Sequence, residues 1–408
     1  MNVPGGSALV ALVALAELAV LAVLAADGVV RLHPQPAVTT SVVMASHAAA
    51  IDGRAVVILE ILARPRARTG ESWHGEARAM GKKLELAIAI LNGAVGDHLS
   101  RSDNGLATTM TCIADGRELP MEKAALASAH PSATPRIAIL LHGLMCTEDI
   151  WAHADGSDYG SRLARDHGFT PFYLRYNSGL PIADNGVALS LLLERLVAEY
   201  PVPIEEIVPI GYSMGGLVVR SACHVASVAR GIEATAETHT WLPLVRRAMY
   251  VGTPHLGAPL ERVGRFVSKV LRAVDDPYTQ LAAQLADLRS DGLKDLGDAD
   301  LRHEDRARRL PSISLRDPRH PVPLLPQIQH FLVAGSLSTD VRLASIFGDS
   351  VVPLGSATDG SCIDVATFAL PPSHVKIVRG ASHVTLAHDA AVYEHLRDWC
   401  APLPTEEP

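Results

Sequence analysis

Cysteine is scarce and scattered: there are five in 408 residues, at Cys112, Cys146, Cys223, Cys362 and Cys400. No two of them form C-x-x-C, and no His/Cys spacing matches a metal site, so neither a disulfide framework nor a structural metal is expected. An odd number cannot all pair within one chain, though one bridge remains possible. Positive charge is not in excess either. With 36 Lys and Arg against 44 Asp and Glu, the formal charge is −8, which removes the electrostatic footprint of a nucleic-acid binder. No Lys or Arg precedes the apolar run Ala8 to Ala26, so the basic start of a signal peptide is missing. The run has about the length of a bilayer span, yet Glu17 sits in its middle, where charge is costly in lipid. An Ala-rich helix packed on a cytoplasmic protein is the preferred reading; export or membrane anchoring is the alternative. No internal repeat is present.

What the chain has is apolar material: 48 % of its residues are hydrophobic, enough for one large α/β domain with an accessory segment. Residues 1–120 read as a helical N-terminal segment. "GKKLELAIAILNGAVGDHL", Gly81 to Leu99, is its clearest helix, after a polar break at Ala63–Gly75. Leu106 to Leu119 alternates around Asp115-Gly116, a hairpin signal. Residues 121–135, "MEKAALASAHPSATP", read as a linker for their small residues and prolines. From Arg136 to the C-terminus, short apolar runs alternate with helical patterns. "RIAILLHG", "TPFYLRYN", "EIVPIGYS", "RRAMYVGT", "HFLVAGSL" and "HVKIVRG" read as strands, with helices between them at Asn185–Tyr200 and Met214–Val228. Such alternation predicts a doubly wound, mostly parallel sheet over residues 136–408, with chemistry at the carboxyl ends of the strands.

The strand "EIVPIGYS" ends in Gly-x-Ser-x-Gly, Gly211 to Gly215, and a helix follows. A nucleophile on so tight a turn needs small neighbours, and the helix N-terminus favours a developing anion there. A plain N-cap at Ser213 would not require glycine on both sides. A serine hydroxyl needs a base. In the order Ser, acid, His, the base is His383, in the loop after "HVKIVRG"; His374 starts that strand and His388 already belongs to the next helix. The acid should follow "HFLVAGSL". Asp340 is nearer in sequence, but Asp349, in "GDSVVP", sits in a tight turn before apolar residues and is preferred, with Asp359 a distant third. Backbone N–H donors for an oxyanion are expected from Met214 and from Leu144, in "LLHGLMCTEDIW", where Gly143 leaves room for close approach. His142 reads as structural.

These motifs together resemble the α/β-hydrolase lipases and esterases, and more narrowly a bacterial branch akin to the GPI inositol-deacylase and lipase group. The residues behind the resemblance are "LLHGLMCTEDIW", "YLRYNSGLPIADNG", "GYSMGGLVVR", "VGTPHLGAPLE", "RSDGLKDL", "GDSVVPLGSA" and "RGASHVTLAHDAAVYEHL", in collinear order from about Arg136 onward. The resemblance implies an α/β-hydrolase fold, a triad of Ser213, Asp349 and His383, and oxyanion donors at Leu144 and Met214. Ser350 departs from it, since such lipases more often have Gly after the acid. Residues 254–328 are long for a connection between adjacent strands. Leu260, Val263, Phe266, Val267, Val270 and Leu271 recur there at helical spacing, as a mobile lid or a fixed cap. Gly143, Tyr212, His255 and Leu256 are the candidate pocket residues. The expected activity is carboxylic ester hydrolysis through an acyl-enzyme, without metal or organic cofactor, on a small-molecule or lipid ester. Thioester, amide or polyester cleavage and a non-catalytic binding domain are the rivals. Contact with a membrane or lipid interface would run through the N-terminal run or the lid.

Overall fold

A computed structural model describes residues 73–232, 240–259, 262, 290–304, 322–337, 349–358 and 370–402. The apolar run Ala8–Ala26, Cys362, Asp340, Asp359 and the apolar stripe from Leu260 to Leu271 lie outside the described residues. The chain divides into two compact units, residues 1–88 with 270–287, and residues 89–269 with 288–408. Of the first unit, residues 73–88 are described, as the beginning of helix α1 (Trp73–Arg101). Within α1, Val95 leaves helical geometry at φ −140° and ψ 19°.

The second unit is built on one eight-stranded sheet. Its strands are β1 (Thr111–Ala114), β2 (Arg117–Leu119), β3 (Arg136–Leu141), β4 (Thr170–Arg175), β5 (Glu206–Tyr212), β6 (Arg247–Val251), β7 (Gln329–Ser336) and β8 (Val375–Arg379). Their order is β2-β1-β4-β3-β5-β6-β7-β8. Strands β3 to β8 are parallel, and the β1–β2 hairpin adds antiparallel to the outer side of β4. Asp115 and Gly116 both have positive φ, 51° and 75°, the type I′ geometry that Asp-Gly favours because it matches strand twist. The segment read as a linker contains a helix, α2 (Lys123–Ala129), whose Leu126 is fully buried. Its KAALASA sequence has the propensity for a helix, and one buried apolar side chain anchors it.

Crossovers place helices on both faces. Helix α3 (Tyr159–His167) connects β3 to β4. Helix α4 (Ile182–Glu199) then returns over β3 to β5, and α5 (Met214–Ile232) continues to β6. With right-handed connections the reversal of direction sends α4 and α5 to the face opposite α3. Helix α8 (Ala390–Trp399) joins α3; between them, α6 (Asp291–Asp298) and α7 (Leu354–Thr358) belong to longer connections. Ala138 and Leu140, Val208, Ile210 and Tyr212, and Met249 and Val251 form one apolar cluster with Tyr159, Leu163, Val392 and Leu396. The strand period of two sends Ile137, Ile139, Leu141 and Ile207, also buried, to the other face. This is a doubly wound α/β-hydrolase fold.

The two edges of the parallel strands differ in chemistry. At the amino edge, Glu206 accepts from Arg247 Nε (2.7 Å) and Nη2 (3.0 Å) and from Arg136 Nε (3.1 Å). Arg247 also donates to the carbonyls of Trp399 and Ala401, both at 2.6 Å. Every charge of this buried set is partnered and it ties down the C-terminal helix. The carboxyl edge carries the residues described next.

Candidate active site

Strand β5 is buried throughout and ends on Tyr212; α5 starts at Met214. Ser213 between them has φ +52°, a left-handed conformation that costs a residue with a Cβ about 1–2 kcal/mol. The surroundings hold it there: the Ser213 N–H donates to Val251 O (2.8 Å) on β6. The flanking glycines are required by contact. A Cβ on Gly211 would lie 2.5 Å from the Gly216 backbone, and one on Gly215 2.5 Å from the carbonyl oxygens of Leu141 and His142. A Cβ on Gly216 would meet Thr253 Oγ1 at 2.0 Å. Helix α5 is thus pressed against the ends of β3 and β6, with the serine at the apex of the turn.

His383 lies in the loop after β8 and is buried. Its Nε2 is 2.9 Å from Ser213 Oγ and its Nδ1 is 2.7 Å from Asp349 Oδ2. A carboxylate can only accept, so Nδ1 carries the proton and the lone pair of Nε2 faces the serine hydroxyl. The loop is held from several sides. Its His383 N–H donates to Asp349 O (3.0 Å), the Tyr212 hydroxyl donates to His383 O (2.9 Å), and the Tyr159 hydroxyl donates to Leu386 O (2.7 Å).

Asp349 is buried, and its other oxygen, Oδ1, accepts the N–H groups of Val351 (3.0 Å) and Val352 (2.8 Å). The turn that creates these donors puts Ser350 at φ +85°. That is a position glycine would fill without strain. Gly335, near the end of β7, allows the acid to come close: a Cβ there would be 2.9 Å from the Cβ of Asp349. No feature of the sequence around "LVAGSL" singled out Gly335.

The loop after β3 runs beside Ser213. A Cβ on Gly143 would meet Ser213 Cβ at 3.0 Å. Leu144 and Met214 are both buried, and among the described residues no acceptor is hydrogen-bonded by the N–H of either. His142 is buried with Nδ1 2.8 Å from Gly143 O, and burial pushes its pKa down to about 4. It is a neutral support of its own loop. Met145, at φ +57°, donates its N–H to Ser178 Oγ (3.0 Å).

The remaining pocket candidates separate by exposure. The Tyr212 ring is buried against Trp151 and His383. His255, also buried, packs edge-on to Tyr250, and its Nδ1 is 3.2 Å from Arg220 Nη1. Burial first, and Arg220 second, hold the His255 imidazole well below its usual pKa. Leu256 is 41 % exposed on the same loop, beyond the carboxyl end of β6. Cys112, Cys146, Cys223 and Cys400 are free thiols. Among the described residues no group of three or more His, Cys, Asp or Glu could hold a metal ion, and no helix is long and apolar enough to cross a membrane.

No protein-family model matches the chain, and no curated protein matches it. Among solved structures it is similar to a lipase-esterase related protein from Clostridium acetobutylicum. The identity is 11 %, the match covers 71 % of this chain and 98 % of that one, and the TM-score is 0.35. It is similar to an esterase from Pyrococcus furiosus (13 % identity, 65 % and 82 % covered, TM-score 0.35). An α/β hydrolase from Novosphingobium aromaticivorans gives 13 % identity, 66 % and 90 % covered, and a TM-score of 0.35. Likeness at this level carries no argument about chemistry; the fold rests on the strand order and crossovers given above.

Proposed function

We propose that the protein is a serine hydrolase acting on carboxylic esters, with Ser213 as nucleophile, His383 as general base and acid, and Asp349 as the group that orients His383. The observation that carries this reading is the Ser213–His383–Asp349 relay, 2.9 Å and 2.7 Å, on a serine at φ +52°. A mere helix cap would need neither the strained backbone nor a buried imidazole behind it.

His383 Nε2 takes the Ser213 proton as Oγ attacks the ester carbonyl. Asp349 holds the Nδ1 proton and stabilises the imidazolium that forms. The N–H groups of Leu144 and Met214, unclaimed by other acceptors among the described residues, receive the oxyanion. His383 then protonates the departing alcohol, and afterwards draws a proton from the water that cleaves the acyl-enzyme. Free acid and free serine result.

A lipidic ester is the favoured substrate class. The resemblance to the inositol-deacylase and lipase group supports it, and so does apolar Leu256 exposed beside the site. Ser213→Ala is expected to abolish hydrolysis of p-nitrophenyl esters and labelling by a fluorophosphonate. Retained turnover in that variant would overturn the assignment. A chain-length series of esters, with and without a lipid–water interface, distinguishes lipase from esterase.

A further inference from the structure

The motif "YLRYNSGL" has no part in the relay, yet its residues Tyr176, Asn177 and Ser178 are all buried. They form the loop after β4, and they hold the loop after β3 from behind. The Tyr176 hydroxyl donates to His142 O (2.8 Å), and its ring stacks on the His142 ring with centroids 4.5 Å apart. Ser178 Oγ accepts the Met145 N–H (3.0 Å). Met145 is the residue at φ +57°, so its peptide plane is turned away from the path an ordinary turn would take. Helix α1 closes the third side. A Cβ on Gly93 would lie 2.3 Å from Met145 Cγ, 3.2 Å from Met145 N and 3.2 Å from Ser178 Oγ. Asn177 Nδ2 donates to Gly96 O (3.0 Å), one helical turn further on.

We infer that Ser178 is a positioning residue of the oxyanion site. By claiming the Met145 amide it fixes the left-handed turn after Leu144, and that turn leaves the Leu144 N–H free for the substrate oxyanion. Without the acceptor, the buried Met145 N–H loses its partner, and a residue in αL gains about 1–2 kcal/mol by relaxing to an ordinary conformation. The peptide between Leu144 and Met145 would then turn, and the shift at Leu144 Cα would re-aim the adjoining Gly143–Leu144 peptide, which carries the Leu144 N–H. The inference rests on the proposed ester hydrolysis at Ser213. It adds that the loop after β4, packed on α1, determines transition-state stabilisation while touching neither nucleophile nor base.

The test compares Ser178→Ala, Ser178→Thr and wild type as full-length chains. Three readouts are used: kcat and KM on a p-nitrophenyl ester, inhibition by an alkyl boronic acid that forms a tetrahedral adduct on serine, and the rate of fluorophosphonate labelling. Losing a whole oxyanion donor costs about 10²–10³-fold in kcat. A donor left in place but misdirected should cost about 10-fold or more. Ser178→Ala is expected to lower kcat by that factor with KM within about two-fold, and to weaken the boronic acid by the same factor as kcat. Ser178→Thr keeps the acceptor oxygen and is expected to recover most of the loss. If Ser178→Ala fails to fold, Tyr176→Phe, which removes the hydroxyl on His142 O, takes its place with the same expected split. Wild-type kcat and boronate affinity in the alanine variant would overturn the inference, as would a threonine variant as impaired as alanine. If the wild type is neither labelled at Ser213 nor able to turn over esters, the parent reading fails and takes this one with it.

Discussion

Asp349 has two separable tasks, and two substitutions pull them apart. Its Oδ2 holds the His383 Nδ1 proton at 2.7 Å, and its Oδ1 accepts from Val351 and Val352 at 3.0 and 2.8 Å. Asparagine keeps a carbonyl oxygen for the two valine amides and presents an NH2 to His383. Two donors cannot face each other, so the imidazole must move its proton to Nε2, the nitrogen that has to accept from Ser213. A wrong tautomer in such a relay costs about 10⁴-fold in kcat, or about 5.5 kcal/mol of barrier. The fold should notice little, within about 1 kcal/mol, because the turn keeps its acceptor. Alanine loses both tasks. It should match asparagine in kcat but unfold about 2–4 kcal/mol more easily, since two amides at a buried carboxylate are left unpaired. The assay is p-nitrophenyl ester kinetics together with urea midpoints for Asp349→Asn, Asp349→Ala and, as a control expected within about two-fold of wild type, Asp340→Ala. An asparagine variant that keeps more than about a tenth of kcat, or that unfolds like the alanine variant, would refute this division of labour.

Gly215→Ala puts a methyl 2.5 Å from two backbone carbonyl oxygens, which cannot swing aside. It should cost about 1–3 kcal/mol of stability, read by thermal unfolding, and should lower kcat by moving Met214 away from the oxyanion. Ser350→Gly relieves φ +85° at an exposed side chain. The relief of about 1–2 kcal/mol exceeds the extra freedom of glycine in the unfolded chain, so a net gain of about 0.5–1 kcal/mol should appear in urea melts. His142 and His330 are both pushed down to about 4 by burial, from an unfolded value of 6.5. Unfolded chains therefore bind more protons than native ones between those values, so stability rises with pH there. Their contribution is complete above about pH 6.5 and is lost as pH falls towards 4, by up to about 3 kcal/mol for each group. Urea midpoints at pH 7.5 and 5 check the slope, and His330→Gln should flatten it.

Much of this molecule is decided locally. Gly211, Gly215 and Gly216 predict a strand pressed on a helix because only hydrogen fits such a turn, and the contacts in the fold are of that kind. Asp115-Gly116 specifies a type I′ turn by its backbone preferences alone. The alternation of apolar runs and helical patterns after Arg136 dictates a parallel sheet, because strands covered on both faces must be apolar throughout. None of these needs a distant partner. The choice between Asp340 and Asp349 does. Nearness in sequence points to Asp340, while the tight turn and apolar residues of "GDSVVP" point to Asp349. Asp349 meets His383 because Gly335 lets the returning chain approach within van der Waals contact and Ser350 turns through a left-handed conformation to aim the carboxylate. Helix α2 was hidden in a linker-like composition until Leu126 found a buried place. The attachment of the hairpin to β4, and the grip of Ser178 on Met145, 33 positions apart in sequence, follow from packing as well. Hydrogen-bond partners far apart in sequence are selected by which surfaces the sheet brings together, and one sequence read along its length carries no measure of that proximity.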